Sequence, residues 1–312
     1  MTGNCYIDEI NIYTRFGVRV TKGGYKDLLA FPALCDPDKN DWPEEDGIEA
    51  DLSAPRLQEK EITVSFLASN PDIDVCDFIA FITTPGYRVL YVPSLGRAWR
   101  LRLSTQTKNK RYRNACDFAL TFVEDTPERP DATLPDPGLV VHDCGYELDG
   151  VSLADYGTVI DVAYDELLKS PAAKQNLSRK VCTADGQIYD ADRLVFSSKE
   201  VTFKCHFKAV STDAFWQCYD ALFSALIQPE ERELYVESLG ESYPCYYKKS
   251  SGFKVLSLRG PVVVEFNLTL VFTVFRVGET EYLLATEDGL FIETEDGESL
   301  IEDRKSVGRE RV

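Results

Sequence analysis

Residues 90–96 read LYVPSLG and residues 234–240 read LYVESLG, so six of seven positions match at an offset of 144 residues. Residues 25–33 (YKDLLAFPA) and 164–172 (YDELLKSPA) match earlier in the chain, at an offset of 139. Two dipeptides recur at this smaller offset: Asp46-Gly47 at Asp185-Gly186, and Lys60-Glu61 at Lys199-Glu200. Matches that keep their order indicate an internal duplication, and the growing offset is what small insertions in loops produce.

The duplication predicts two domains of ordinary size in tandem. We assign residues 1–130 to the first domain and residues 145–277 to the second, which repeats the first. A Pro-rich linker, residues 131–144, joins them and should be extended. Residues 278–303 form an acidic arm in which the motif TEDG occurs twice. The last residues, 304–312, are interpreted either as a foreign extension or as a disordered basic tail.

Each domain contains stretches in which apolar and polar residues alternate, the pattern of a half-buried strand. This alternation is clear in residues 61–68 (EITVSFLA) and 201–209 (VTFKCHFKA). Apolar residues at helical spacing predict one helix in each domain, at 74–82 and at 213–226, the second capped by Asp213. The order of elements predicts a mainly β (α+β) fold, with two tandem β-sandwich or barrel domains, each with one helix, and a short C-terminal β arm.

The charge balance is strongly acidic, with a net charge of −18. Residues 278–312 are the most acidic part by density, with 4 basic and 11 acidic side chains. Duplex DNA is bound largely through Lys and Arg on its phosphates, so this chain is poorly suited to bind it. No apolar run reaches the ~18 residues of a membrane span, and no signal peptide is recognisable. The 9 cysteines contain no CxxC motif and fit free thiols in a reducing compartment.

Motifs that carry chemistry are missing from the sequence. The two histidines, His142 and His206, belong to no HExxH pattern, and neither a nucleophile elbow nor a phosphate-binding glycine loop occurs. Cys205 and His206 are adjacent on a predicted strand, so they face opposite sides and do not share a metal ion. The Asp-Gly pairs at 46, 185, 288 and 296 predict turns rather than calcium loops. We therefore predict no catalytic residue, no metal site and no cofactor.

One stretch is strongly basic. Residues 96–114 (GRAWRLRLSTQTKNKRYRN) contain seven Lys and Arg side chains and no acidic one. Three interpretations stay open: a nucleic-acid contact, a solvated hairpin face, or a surface that docks on an acidic neighbouring subunit. The acidic arm is an obvious electrostatic partner. The candidates for a subunit interface are Arg97, Trp99, Arg100, Arg102, Lys108, Lys110, Arg111, Arg113, Glu287, Asp288, Glu295 and Asp296.

The order of elements in each domain resembles the tail-tube fold of tailed bacteriophages, to which the ring-forming domain of distal tail proteins belongs. The shared elements are a strand, a helix, a hairpin with the LYV motif and a long final strand of alternating Phe and Leu. Tandem copies resemble duplicated tube and baseplate-hub proteins, in which three chains form a ring of six domains. The resemblance covers about residues 10–277 and the arm.

The resemblance implies a ring in the tail tube or at its distal or baseplate end, either a trimer with pseudo-sixfold symmetry or a hexamer. Such a ring acts as a DNA conduit and assembly hub. The implied partners are further copies of the chain, other phage tail proteins and passing double-stranded DNA that is not specifically bound; no membrane is involved. The implied location is the virion tail, assembled in the cytoplasm of the bacterial host.

Two alternatives compete with this structural role. Distal tail proteins usually carry a second, carbohydrate-binding domain, whereas here the second domain repeats the first. A receptor- or glycan-binding tail module would need an exposed aromatic platform, for which Trp42, Trp99 and Trp216 are candidates, although Trp216 lies on an apolar helix. A carboxylate-dependent hydrolase would need two acids in one cleft. We expect the protein not to be an enzyme.

Overall fold

A computed structural model describes residues 4–68, 74–162, 164–174, 178–180, 182–183, 185–186, 188–189, 194–275, 281–283 and 302–304. In the first repeat the elements are β1 (Tyr6–Ile7), β2 (Ile10–Asn11), α1 (Ile12–Phe16), β3 (Val18–Val20), a 3-10 turn (Lys26–Leu29), β4 (Lys39–Asn40), β5 (Glu49–Ala50), β6 (Lys60–Ala68), α2 (Asp74–Ile82), β7 (Arg88–Val92), β8 (Arg97–Arg111) and β9 (Cys116–Glu124).

In the second repeat the elements are β10 (Tyr146–Leu148), β11 (Val151–Ser152), β12 (Thr158–Val162), α3 (Tyr164–Leu168), β13 (Ser178–Arg179), β14 (Ile188–Tyr189), β15 (Lys199–Ala209), α4 (Thr212–Leu226), β16 (Arg232–Val236), β17 (Glu241–Ser257) and β18 (Val262–Phe272). Two further strands, β19 (Glu281–Leu283) and β20 (Glu302–Arg304), pair antiparallel; they lie in the predicted acidic arm, except that Arg304 is one residue beyond it.

Two seven-stranded antiparallel sheets have the same strand order. The first is β2-β1-β7-β8-β9-β6-β3 and the second is β11-β10-β16-β17-β18-β15-β12, so every strand has a counterpart at the same place. The short pairs β4-β5 and β13-β14 are likewise equivalent. The predicted mainly β (α+β) fold is confirmed. The domain boundaries stay a prediction.

The inner faces of the long strands form the core, because every second side chain of a strand points to the same side. Ile62, Val64 and Phe66 on β6 are fully buried, as are Phe203 and Phe207 on β15. On the final strands both faces are covered over part of their length. Burial of a side chain of this size contributes about 1.5–3 kcal/mol, so these strands dominate the stability of each sheet.

The helices differ from the prediction in two ways. Each repeat has a second, five-residue helix, α1 or α3, in addition to the predicted one. Helix α4 is capped by Ser211, whose Oγ accepts a hydrogen bond from the Ala214 N–H at 3.1 Å, so the cap predicted at Asp213 is wrong. Asp213 lies inside the first turn, where a carboxylate complements the positive end of the helix dipole.

Three polar contacts occur once in each repeat. Arg88 and Arg232 bind the carboxylates of Asp8 and Asp149 at 2.8 and 2.9 Å. The ammonium groups of Lys60 and Lys199 donate to the backbone carbonyls of Leu28 and Leu167 at 2.8 and 2.9 Å. Paired hydroxyls link the long strands: Thr63 with Thr121 at 3.1 Å, and Thr202 with Thr269 at 3.0 Å.

Candidate functional site

The contact between the two repeats combines aromatic packing with hydrogen bonds and ion pairs. Residues 28–34, here called the bridging segment, leave the first repeat and pack on the second. The Phe31 ring stacks on the Phe223 ring, with centroids 4.3 Å apart and planes at 9°. Phe31 is 5% exposed, and Tyr247 beneath it is fully buried. The first repeat therefore completes the core of the second.

Hydrogen bonds fix the backbone of the bridging segment. The Tyr219 hydroxyl donates to the Leu29 carbonyl at 2.8 Å, and the Tyr247 hydroxyl donates to the Pro32 carbonyl at 3.1 Å. The Leu34 N–H donates to the Lys248 carbonyl at 2.9 Å. Burial raises the pKa of both tyrosines, because a buried phenolate loses its hydration. Both hydroxyls thus remain donors throughout the physiological pH range.

A second segment of the first repeat, residues 41–51, lies against the end of β18. The Gly47 N–H donates to the Phe196 carbonyl at 2.7 Å, and the Ile48 N–H donates to the Thr273 carbonyl at 3.0 Å. The Lys174 ammonium inserts into this segment and donates to the carbonyls of Trp42, Glu45 and Gly47 at 2.7–2.8 Å. Lysine is used here as a three-way donor that holds a loop of the other repeat.

The beginning of the basic strand β8 belongs to the same contact. Arg97 forms an ion pair with Asp220 of α4 at 2.9 Å, and its guanidinium lies 4.4 Å from the centre of the Trp216 ring. The Trp99 ring meets Trp216 edge-on at 6.1 Å, and the Trp216 Nε1–H donates to the Leu95 carbonyl at 2.6 Å. Arg97 and Trp99, predicted to face a neighbouring subunit, therefore contact the second repeat of their own chain.

The rest of β8 is exposed except for Leu101, which is buried, and Leu103, which is half-buried. Arg102 binds Asp125 in a bidentate pair and Lys108 binds Asp117 at 2.6 Å, so part of the predicted positive charge is neutralised within the chain. The hydrogen bonds to Asp125 raise the pKa of Arg102 and lower that of Asp125. The Arg100 guanidinium lies over the Tyr87 ring and the Lys110 ammonium over the Tyr112 ring. Two more basic residues of the candidate set are exposed: Arg111 and Arg113.

The acidic partners predicted for this strand are Glu287, Asp288, Glu295 and Asp296. All four lie outside the described residues, so the contact between the basic strand and the acidic arm stays a prediction. Of the three tryptophans proposed as a glycan platform, Trp99 is only 6% exposed and Trp216 is half-buried between the repeats. Trp42 is 48% exposed, and its Nε1–H donates to Glu49 at 3.0 Å.

Two cavities bear on the hydrolase alternative. The larger, about 530 Å³, lies where residues 20–26 face β17; its described lining includes Lys22, Lys26 and Lys254 and no carboxylate. The smaller, about 90 Å³, lies between the repeats and contains Lys60 and Glu124, 4.0 Å apart. Burial lowers the pKa of Lys60 to about 8 and raises that of Glu124. A volume of 90 Å³ is far below the ~300–1,000 Å³ of ordinary ligand pockets.

Two further observations concern the described residues. They contain no group of three or more His, Cys, Asp or Glu side chains arranged to hold a metal ion. None of their helices combines the length and apolar character needed to cross a membrane.

Comparison with known solved structures gives only weak likeness. No protein-family model matches the chain, and no curated protein matches it in sequence. The crystal structure of the Dit (gp 19.1) protein of phage SPP1, described as a paradigm of the hub adsorption apparatus in phages that infect Gram-positive bacteria, matches with a TM-score of 0.29. The identity is 9%, and the match covers 86% of this chain and 98% of that chain. A likeness of this degree establishes neither a shared fold nor a function.

Proposed function

We propose that this protein is a structural component of a bacteriophage or prophage tail, which forms a ring in the tail tube or at its distal or baseplate end. The observation that carries the proposal is the pair of seven-stranded sheets with the same strand order within one chain. Three such chains supply six equivalent units, so a trimer would have pseudo-sixfold symmetry. A hexamer with twelve units is the second possibility.

The contact between the repeats supports assembly by repetition of one interface. The bridging segment of the first repeat packs on the second repeat, so the two units are joined head to tail. Head-to-tail contacts generate closed rings when the rotation between units closes, and closure leaves no unit with an unused surface.

The charge of the chain supports a conduit for DNA. A net charge of −18 repels the phosphate backbone, so passing DNA would not be retained by fixed positive groups. The basic side chains of β8 are partly neutralised by Asp117 and Asp125, which further reduces their use for DNA. On this proposal the protein contacts copies of itself and other tail proteins and has no catalytic role.

The mass of the purified protein in solution, combined with particle images of the same fraction, tests this function. Three chains of 35.2 kDa give a ring of about 106 kDa, and six give about 211 kDa. We expect one of these masses and ring-shaped particles with a central opening and six or twelve equivalent lobes. A monomer at every concentration and salt, or a compact particle without an opening, would contradict the proposal.

A further inference from the structure

The bridging segment has a counterpart in the second repeat that lacks a partner of the same kind. The offset of 139 places residues 167–173 at the position of residues 28–34. Leu29, whose carbonyl accepts a hydrogen bond from Tyr219 of the second repeat, is fully buried, whereas its counterpart Leu168 is 45% exposed. Phe31 is 5% exposed, and its counterpart Ser170 is exposed. The second repeat therefore presents residues 168–170 of this segment uncovered, while Leu167 is buried like its counterpart Leu28.

The surface that receives the bridging segment also has an uncovered counterpart. Tyr247 pairs with Leu270 on β18, and Leu103 pairs with the equivalent Phe122 on β9, so register makes Leu103 the counterpart of Tyr247. The same register makes Gln106 the counterpart of Ser250. Tyr247 and Ser250 are covered by the bridging segment, at 0% and 8% exposure. Leu103 is half-buried, and every residue from 104 to 111 is exposed.

These two uncovered surfaces show whether the contact between the repeats is two-fold symmetric or head to tail. A two-fold arrangement would bury both segments, because each repeat would contribute its segment to the other. Only the segment of the first repeat is covered, so the arrangement is open. An open head-to-tail pair leaves one segment, residues 167–173, and one receiving surface, on β8, free at its two ends. These two surfaces are the duplicates of a pair that fits together, so we expect them to fit each other.

We propose that residues 167–173 of one chain pack on residues 102–107 of β8 in a second copy of this chain. This inference rests on the proposed ring and specifies the interface that closes it. The contact repeats in trans the contact that the bridging segment makes in cis. Ser170 takes the place of Phe31, and Gln106 takes the place of Ser250, whose Oγ accepts the Phe31 N–H at 2.9 Å. The interface between chains is accordingly more polar than the one within a chain.

Cysteine cross-linking between two differently tagged chains tests the proposal. One chain carries Ser170→Cys and the other Gln106→Cys, both in a background in which the exposed Cys35, Cys76 and Cys182 are replaced by serine. After mixing, dissociation and reassembly, mild oxidation should yield a covalent dimer that contains both tags. Neither variant oxidised alone should yield it, because each then presents only one partner of the pair.

The outcomes separate this interface from the ring itself. A mixed-tag dimer in a particle of trimeric or hexameric mass supports both. Oligomers of that mass without the covalent dimer would overturn the interface and leave the ring standing. A protein that is monomeric at every concentration would overturn both.

A substitution provides a second, independent measurement of the same interface. Leu168→Asp should shift the mass distribution toward monomer and leave the folded monomer intact, because Leu168 is already exposed within its own chain. Leu134→Asp is the matched control, since Leu134 is 54% exposed and lies in the linker. Equal mass distributions for the two variants would count against the proposal.

Discussion

The rings of Phe31 and Phe223 lie face to face with centroids 4.3 Å apart, although Phe31 belongs to the first repeat and Phe223 to helix α4 of the second. The ring of Tyr247 meets both of them edge-on, at 5.8 Å from each. Such a cluster of aromatic side chains is expected inside a single domain, where it contributes through burial and ring geometry. Here it makes the stability of the second repeat depend on a segment of the first.

Removing the Phe31 ring should uncouple the repeats. Phe31→Ala is expected to cost about 3–5 kcal/mol and to split denaturant unfolding into two transitions, followed by tryptophan emission. Phe16→Ala is the control, because Phe16 is equally buried but packs on Phe78 and Phe81 of its own repeat. Phe16→Ala should lower the free energy of unfolding but leave a single unfolding transition, because the contact between the repeats is intact in this variant. A loss below about 1 kcal/mol for Phe31→Ala would contradict this role.

Gly47 should tolerate no side chain. Its φ is +70°, and a Cβ would lie 1.8 Å from the Thr273 carbonyl oxygen of the second repeat. Its sequence counterpart Gly186 has a φ of +82° but open space around the Cβ position. Alanine at either position incurs about 1–2 kcal/mol of backbone strain. Only Gly47→Ala should add the cost of displacing the other repeat, about 1–3 kcal/mol more.

Thermal and denaturant unfolding of both glycine variants measure this difference. If both variants lost the same free energy of unfolding, the backbone near Thr273 would accommodate the new Cβ at position 47 without an energetic penalty, and the prediction would be wrong.

Lys60 should make the free energy of unfolding increase as the pH rises above about 8. A lysine stabilised by an ordinary ion pair has the opposite effect, because its pKa is raised in the folded state. Burial lowers its pKa to about 8, whereas an unfolded chain restores about 10.4. Below pH 8 both states bind the proton and the folded state bears the full cost of the buried charge. As the pH rises above 8, the folded state releases the proton first, so this contribution to the free energy of unfolding increases.

Comparison with Lys60→Met isolates that contribution. The free energy of unfolding of the natural protein should rise relative to the variant by about 1.3 kcal/mol between pH 7 and pH 9. Burial also raises the pKa of thiols such as Cys205, so these thiols ionise more readily in the unfolded chain and lower the free energy of unfolding at high pH. This loss is the same in both proteins and cancels in the difference. Lys22→Met, at an exposed position, is the control for the loss of a lysine. A constant difference for Lys60→Met would refute the lowered pKa.

The outer end of the basic strand should control association. Lys110 and Arg113 are exposed, while Arg102 and Lys108 are held by aspartates. If this end meets the acidic arm of a neighbour, Lys110→Glu with Arg113→Glu should slow association and remove its salt dependence, because exposed charges act mainly on the encounter rate. Arg259→Glu, on an exposed turn of the second repeat, is the control. Unchanged association kinetics at low and high salt would argue against the pairing.

Periodicity predicted the long elements well. The helix at 74–82 has the predicted bounds, and the strands predicted at 61–68 and 201–209 begin only one and two residues earlier, because their patterns match the periods of 3.6 and 2 along their whole length. The short outer hairpins were missed. Asp149 and Gly150 both have positive φ and form a tight turn between β10 and β11, so this Asp-Gly pair was an available signal. At Asp8 and Glu9 the same geometry occurs without glycine.

The contact between the repeats was beyond prediction, because periodicity describes one element and says nothing about the partner of a loop. One signal was present. In the matched stretches 25–33 and 164–172, the first repeat has Ala30 and Phe31 where the second has Lys169 and Ser170. A large aromatic residue that replaces a polar one in a duplicate marks a position whose surroundings differ. To infer from this difference that Phe31 packs on the second repeat, one must already know that the two repeats are in contact.

The bridging segment and its receiving surface are parts of one polypeptide, and this gives their contact a different kinetic character from any contact between chains. A tethered pair experiences an effective concentration on the order of millimolar, which does not fall when the protein is diluted. Joining of the two repeats is therefore a folding step whose extent does not depend on protein concentration. The proposed contacts between chains would instead depend on the concentration of the protein. In the proposed ring of six units, the duplication therefore makes three of the six contacts intramolecular.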